Sequence, residues 1–152
     1  MLVPTVTAYL YENSDLGAWI VTTVLTMLGG LLFLLIGHGA QKRVGEREGY
    51  VIVASVWIVF SLFGMLPFWL SGALPSLADC WFETMAGFTT TGATVCADVE
   101  SMSQSLLLWR ALMQWVGGLG IIVLSVAILP MFGLRGMQLY SAEVTGVSYD
   151  KL

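Results

Sequence analysis

The run Phe88-Thr89-Thr90-Thr91-Gly92-Ala93-Thr94-Val95 lies in the middle of a strongly apolar chain. It suits no helix, because β-branched threonines and a glycine are poor helix formers. An extended segment at membrane depth leaves its carbonyls without partners, at several kcal/mol each as a general rule for hydrocarbon, unless something positive coordinates them. A dehydrated cation meets that need. Potassium filters replace the ion's hydration shell with stacked backbone carbonyls and a threonine hydroxyl, and glycine allows the backbone angles that turn carbonyls inward.

What precedes the run supports this. Pro67, Gly72 and Pro75 break the preceding apolar stretch, so the second span is expected to end near Pro67. Ser76 is placed to cap a helix over Leu77 to Gly87. A helix of about three turns is too short to cross, and apolar segments of ~10 to 14 residues read as re-entrant rather than spanning. Its C-terminus, the negative end of the helix dipole, would point toward the ion path.

Farther out, Leu16 to Gln41, Tyr50 to Ala78 and Ala111 to Leu134 carry no Asp, Glu, Lys or Arg. Each exceeds the ~20 apolar residues that span a bilayer as helix. With 57% hydrophobic and 11% charged residues and a mean hydropathy of +0.84, a soluble domain is excluded. The expected class is an all-α integral membrane protein with a re-entrant helix and an extended loop. We divide it into residues 1–45, a preceding helix remnant, the first full span and a loop, and residues 46–152, a span, short helix, extended run and span with a tail.

Lys42, Arg43 and Arg47 crowd the connection between the first two spans, and Arg135 and Lys151 follow the third. The positive-inside rule makes that face and the C-terminal tail cytoplasmic. Glu12, Asp15, Asp79, Asp98 and Glu100 then lie on or near the outer face, where they would focus cations or simply be solvated. No basic residue precedes Lys42, and no removable targeting segment is expected.

Several single residues carry two readings. Glu83 in the short helix is read as a structural anchor in preference to an ion ligand. Arg110, at the start of the third span, is read as snorkelling to the interface in preference to pairing with Glu83 or Asp98. Gly117, Gly118 and Gly120 point to close helix packing rather than a hinge. Trp57, Trp69, Trp81, Trp109 and Trp115 read as interface anchors or packing. Cys80 and Cys96 read as apolar fillers rather than a disulfide, and His38, the one histidine, is given no role.

Phe82-Glu83-Thr84-Met85-Ala86-Gly87-Phe88-Thr89-Thr90-Thr91-Gly92-Ala93-Thr94 resembles the first pore loop of the TrkH-type potassium uptake proteins, in the Trk/Ktr/HKT superfamily. Trp109-Arg110-Ala111-Leu112-Met113-Gln114-Trp115-Val116-Gly117-Gly118-Leu119-Gly120-Ile121-Ile122-Val123-Leu124 is similar to the segment that follows that loop, as are Ala127 to Pro130 and Gly136 to Glu143. The resemblance implies four covalently linked repeats around a pseudo-fourfold pore, each donating one filter strand. Thr90, Thr91, Gly92 and Ala93 match the strand positions, with Gly92 as the central glycine and K+ as the transported ion. It also implies residence in the inner membrane and control by a cytosolic nucleotide-binding ring protein of the TrkA type. The chain itself has no nucleotide motif, and neither a cofactor nor nucleic acid is called for.

A full family member is roughly three times longer, so an N-terminal fragment holding the first repeat is expected. One strand cannot surround an ion; the others would come from the remaining repeats or from further copies of this chain. The alternative function is a non-conducting membrane segment serving assembly or regulation of another transporter. An intramembrane enzyme is disfavoured, since no nucleophile, base and orienting group appear together on the spans.

Overall fold

The structure, a computed structural model, describes residues 1–39 and 46–132. Every regular element in it is helical: α1 (Leu2–Leu10), α2 (Leu16–Gly37), α3 (Glu46–Gly64), α4 (Leu66–Leu70), α5 (Leu77–Phe88) and α6 (Gln104–Phe132). Among the described residues three apolar segments are long enough to cross a bilayer: Leu16–Gly37, Val51–Leu70 and Gln104–Ile122. The chain is a multi-pass, all-α membrane protein. Its outward faces suit lipid: Leu34 is 73% and Ile36 72% exposed, positions no water-soluble helix would fill this way. Lys42, Arg43, Arg135, Lys151 and the Gly136 to Glu143 motif lie outside the described residues.

The second apolar span ends near Pro67, as expected: α3 stops at Gly64, and Pro67 sits in the first turn of the short α4, where its missing N–H breaks no helical bond. One boundary differs from expectation. α6 begins at Gln104, so Arg110 lies within the helix rather than at its mouth. The charge-free stretch begins only at Ala111, and a criterion of charge alone placed the start too late.

Residues 1–119 form one compact unit; the other, Gly120–Leu152, is described only as the continuation of α6 to Phe132. In the first unit α3 and α4 pack on α5, while α2 packs on α1 and α4. Trp19, Phe68, Phe88, Trp109 and Met113 form its core. Trp109 meets Trp19 edge-on with centroids 6.1 Å apart, and Phe88 likewise at 6.2 Å. Its indole N–H donates to the Gly64 carbonyl at 3.0 Å, tying α6 to the α3–α4 break. A buried indole needs such a partner, and the break supplies it. The sequence reading of Trp109 as packing holds here; Trp19, fully buried beside it, was not singled out.

Small residues let the helices approach α5 closely. A Cβ on Gly64 would come within 2.6 Å of Thr84 Cγ2 and 2.8 Å of Phe88 Cε2. A Cβ on Gly117 would overlap the Phe88 carbonyl, with the carbonyl carbon at 2.7 Å. Gly117 therefore packs against the last residue of α5, as expected for close helix packing.

Candidate functional site

Helix α5 is 12 residues long, about 18 Å at ~1.5 Å per residue, and cannot cross a core of ~30 Å. Ser76 caps it: the hydroxyl accepts the Asp79 N–H at 3.1 Å. Glu83, Thr84, Ala86, Gly87 and Phe88 are buried, so the second half of the helix is held in protein rather than in lipid.

At Phe88 the chain turns back. The N–H groups of Thr89, Thr90, Thr91 and Gly92 all return to α5, onto the carbonyls of Met85, Gly87, Ala86 and Ala86 again, at 2.9, 3.0, 3.0 and 3.4 Å. These contacts satisfy carbonyls that a helix C-terminus would otherwise leave open. Thr90 takes the left-handed conformation, φ 56°, that this reversal requires. Such an angle is uncommon for a β-branched residue and was not anticipated from the sequence.

Gly92 is also left-handed, φ 75°, while Thr89 and Thr91 are not. The sign of φ thus alternates over 89–92. In an ordinary strand successive carbonyls point to opposite sides; alternation of handedness turns peptide planes toward a common side. Thr90, Thr91, Gly92 and Ala93 are exposed, and among the described residues no hydrogen bond reaches their carbonyls. Their N–H groups are largely spent on α5 while their oxygens stay available. These carbonyls follow directly on the C-terminus of a short helix, the negative end of its dipole.

Glu83 fixes the far end of this segment. Its Oε2 accepts from Thr94 Oγ1 at 2.8 Å and from the Val95 N–H at 3.0 Å. Residues 94 and 95 therefore lie beside the middle of α5. Oε1 meets Arg110 Nη1 as an ion pair. Ala93 and Gln114 line the same small gap as this pair. Glu83 is only 2% exposed. The ion pair corrects the reading of Arg110: it does not snorkel but turns inward, because a carboxylate this deeply buried demands a counter-charge.

The acidic residues divide. Asp98 and Glu100 are exposed, as loop acids are expected to be, but Asp15 is buried and accepts hydrogen bonds from Trp19, Ser103 and Ser105. Nothing in the sequence spacing pairs residue 15 with 103 and 105. Cys80 and Cys96 are both free thiols, consistent with the filler reading.

The sequence profile of TrkH, a cation transport protein family, matches residues 20–152. Trk system potassium uptake protein TrkH of Halomonas elongata is 40% identical over 151 residues, covering 99% of this chain and 31% of that protein. TrkG of Escherichia coli K12 is 38% identical with the same coverage. TrkH of Vibrio parahaemolyticus is 37% identical over 151 residues, again 99% of this chain and 31% of the relative. The chain thus spans 31% of the length of the curated relatives it matches. No solved structure gives a significant match. A profile match over most of the chain, with relatives at this identity, places the chain in the TrkH cation transport protein family.

Proposed function

We propose that this chain contributes to potassium transport by supplying one selectivity-filter strand, Thr90 to Ala93, to a pseudo-fourfold pore. The observation that supports this is that the carbonyls of residues 90–93, just past the C-terminus of α5, accept no hydrogen bond among the described residues while φ alternates in sign and three of the four N–H groups are spent on α5. The relatives' printed names, potassium uptake proteins, are in accord with it. Residues 46–152 would form one span, pore-helix, span repeat, with Glu83 and Arg110 supporting the pore helix α5. The other three strands come from the remaining repeats of a longer protein or from further copies of the chain, since one strand leaves most of the ion's shell unmet.

Gly92→Asp tests this in a complete protein carrying the segment. The left-handed angle disfavours any side chain, although a Cβ there meets nothing within 4 Å, and a carboxylate would compete with the carbonyls for the ion. Potassium uptake should be abolished in cells; unchanged selective uptake would leave only the assembly or regulatory reading.

The same reading places the protein in the inner membrane, with the connection around Lys42 and the C-terminal tail in the cytoplasm, where a TrkA-like nucleotide-binding subunit would dock. A cysteine placed at Lys42, in a background with Cys80 and Cys96 replaced by serine, should react with an impermeant thiol reagent only in inverted vesicles. Labelling of intact spheroplasts would reverse the orientation.

A further inference from the structure

Every backbone N–H has to end on some acceptor, and in the segment 90–93 most do so on α5. Those of Thr90, Thr91 and Gly92 reach the carbonyls of Gly87, Ala86 and Ala86 at 3.0, 3.0 and 3.4 Å. The remaining one, on Ala93, meets no acceptor among the described residues. Ala93 borders a gap of about 10 Å³ between α5, α6 and the segment, lined also by Glu83, Gly87, Arg110, Met113 and Gln114.

The walls of this gap leave one strong side-chain acceptor free. The Glu83 carboxylate is taken up by Arg110, Thr94 and Val95. The Gly87 carbonyl accepts from the Thr90 N–H. Arginine has donors only, and the Met113 thioether is a weak acceptor. The Gln114 side-chain amide makes no hydrogen bond with any described residue. It is also the odd group on its helix: Trp115 and Leu119, exposed beside it, are apolar as lipid requires, whereas an unpaired amide in hydrocarbon is costly. A space of roughly 10–15 Å³ is what a single water needs. One water in this gap can accept from the Ala93 N–H and donate to Gln114 Oε1.

The consequence falls on the neighbouring carbonyl. The Ala93 N–H belongs to the peptide that carries the Gly92 carbonyl, and in a trans peptide the two point to opposite sides. Holding the N–H toward α6 turns that carbonyl away from α6. Gly92 needs such a hold, since with φ 75° and open space where a Cβ would stand, nothing of its own opposes a flip of this peptide.

We propose that Gln114 is a positioning residue of the segment: its side-chain carbonyl holds the Ala93 N–H through one bridging water and so sets the direction of the Gly92 carbonyl. That this direction selects potassium rests on the filter reading; the bridge itself does not.

Amide exchange reads the bridge directly. The full chain, isotopically labelled at the alanine nitrogens and held in lipid nanodiscs, gives the Ala93 signal, assigned through Ala93→Ser. Its exchange with deuterium is expected to be slow, about tenfold faster in Gln114→Met, and near native in Gln114→Glu, which keeps an oxygen acceptor at the same reach. Gln114→Leu repeats the test if Gln114→Met fails to fold. In a complete protein carrying the segment, the ratio of potassium to sodium flux should fall roughly fivefold in Gln114→Met at unchanged melting temperature, and recover in Gln114→Glu. Exchange at Ala93 that is fast in the native chain, unchanged in Gln114→Met, or accelerated alike in the Met and Glu variants would overturn the bridge. A flux ratio lowered by Gly92→Ser but not by Gln114→Met would overturn the positioning role and leave the filter reading standing. A ratio indifferent to both, with the exchange effect present, would remove the filter reading and with it the link to selectivity, leaving the bridge alone.

Discussion

Glu83 joins three parts of the chain at one carboxylate: helix α5, the returning segment at Thr94 and Val95, and α6 through Arg110. Removing one member of a buried charge pair leaves the other unpaired and costs more than the pair contributes. Glu83→Gln and Arg110→Gln should each destabilise the chain, and a double-mutant cycle on thermal unfolding in detergent should give a coupling of about 0.5–3 kcal/mol. Strict additivity would show that the pair contributes nothing. That Glu83 needs partners was legible from one fact, a carboxylate inside a short apolar helix. The inward turn of Arg110 was not, since snorkelling and pairing are equally compatible with an arginine near a span end. Likewise the resemblance matched Thr90 to a filter-strand position, but its left-handed angle runs against the preference of β-branched residues and goes with the turn at the end of α5.

Helix α5 and the helices around it were readable because their signals are local. Ser76 followed by an apolar stretch marks the start, and the structure places the end at Phe88, one residue past the expectation. Pro67 marked the end of the second span only approximately, because a proline in the first turn of a helix and a proline after the last turn look alike in sequence. The adjacent glycines of α6 make a sharper test. Gly118→Ala meets only Thr90 Cγ2 at 3.9 Å, ordinary contact, and gains about 1 kcal/mol of helix propensity. Gly117→Ala runs into the backbone of Phe88, which cannot yield without moving the start of the returning segment. Overpacking of this kind costs roughly 1–3 kcal/mol. Uptake assays and melting curves on the complete protein should show Gly118→Ala neutral or stabilised and Gly117→Ala impaired in both. Equal behaviour of the two variants would contradict this packing.

At the scale of the molecule, hydropathy alone identified the membrane class, since the exposure of apolar residues such as Leu34 and Ile36 makes sense only in lipid. The buried network at Asp15 stayed hidden, because it depends on the α1–α2 turn meeting the approach to α6, residues some ninety positions apart. The central claim is that backbone carbonyls at 90–93 select potassium. It is tested most directly by the ratio of potassium to sodium flux in proteoliposomes holding a complete protein with this segment, native or with Gly92→Ser. The account predicts that this ratio falls at least tenfold in the variant while the protein still assembles. An unchanged ratio would contradict it.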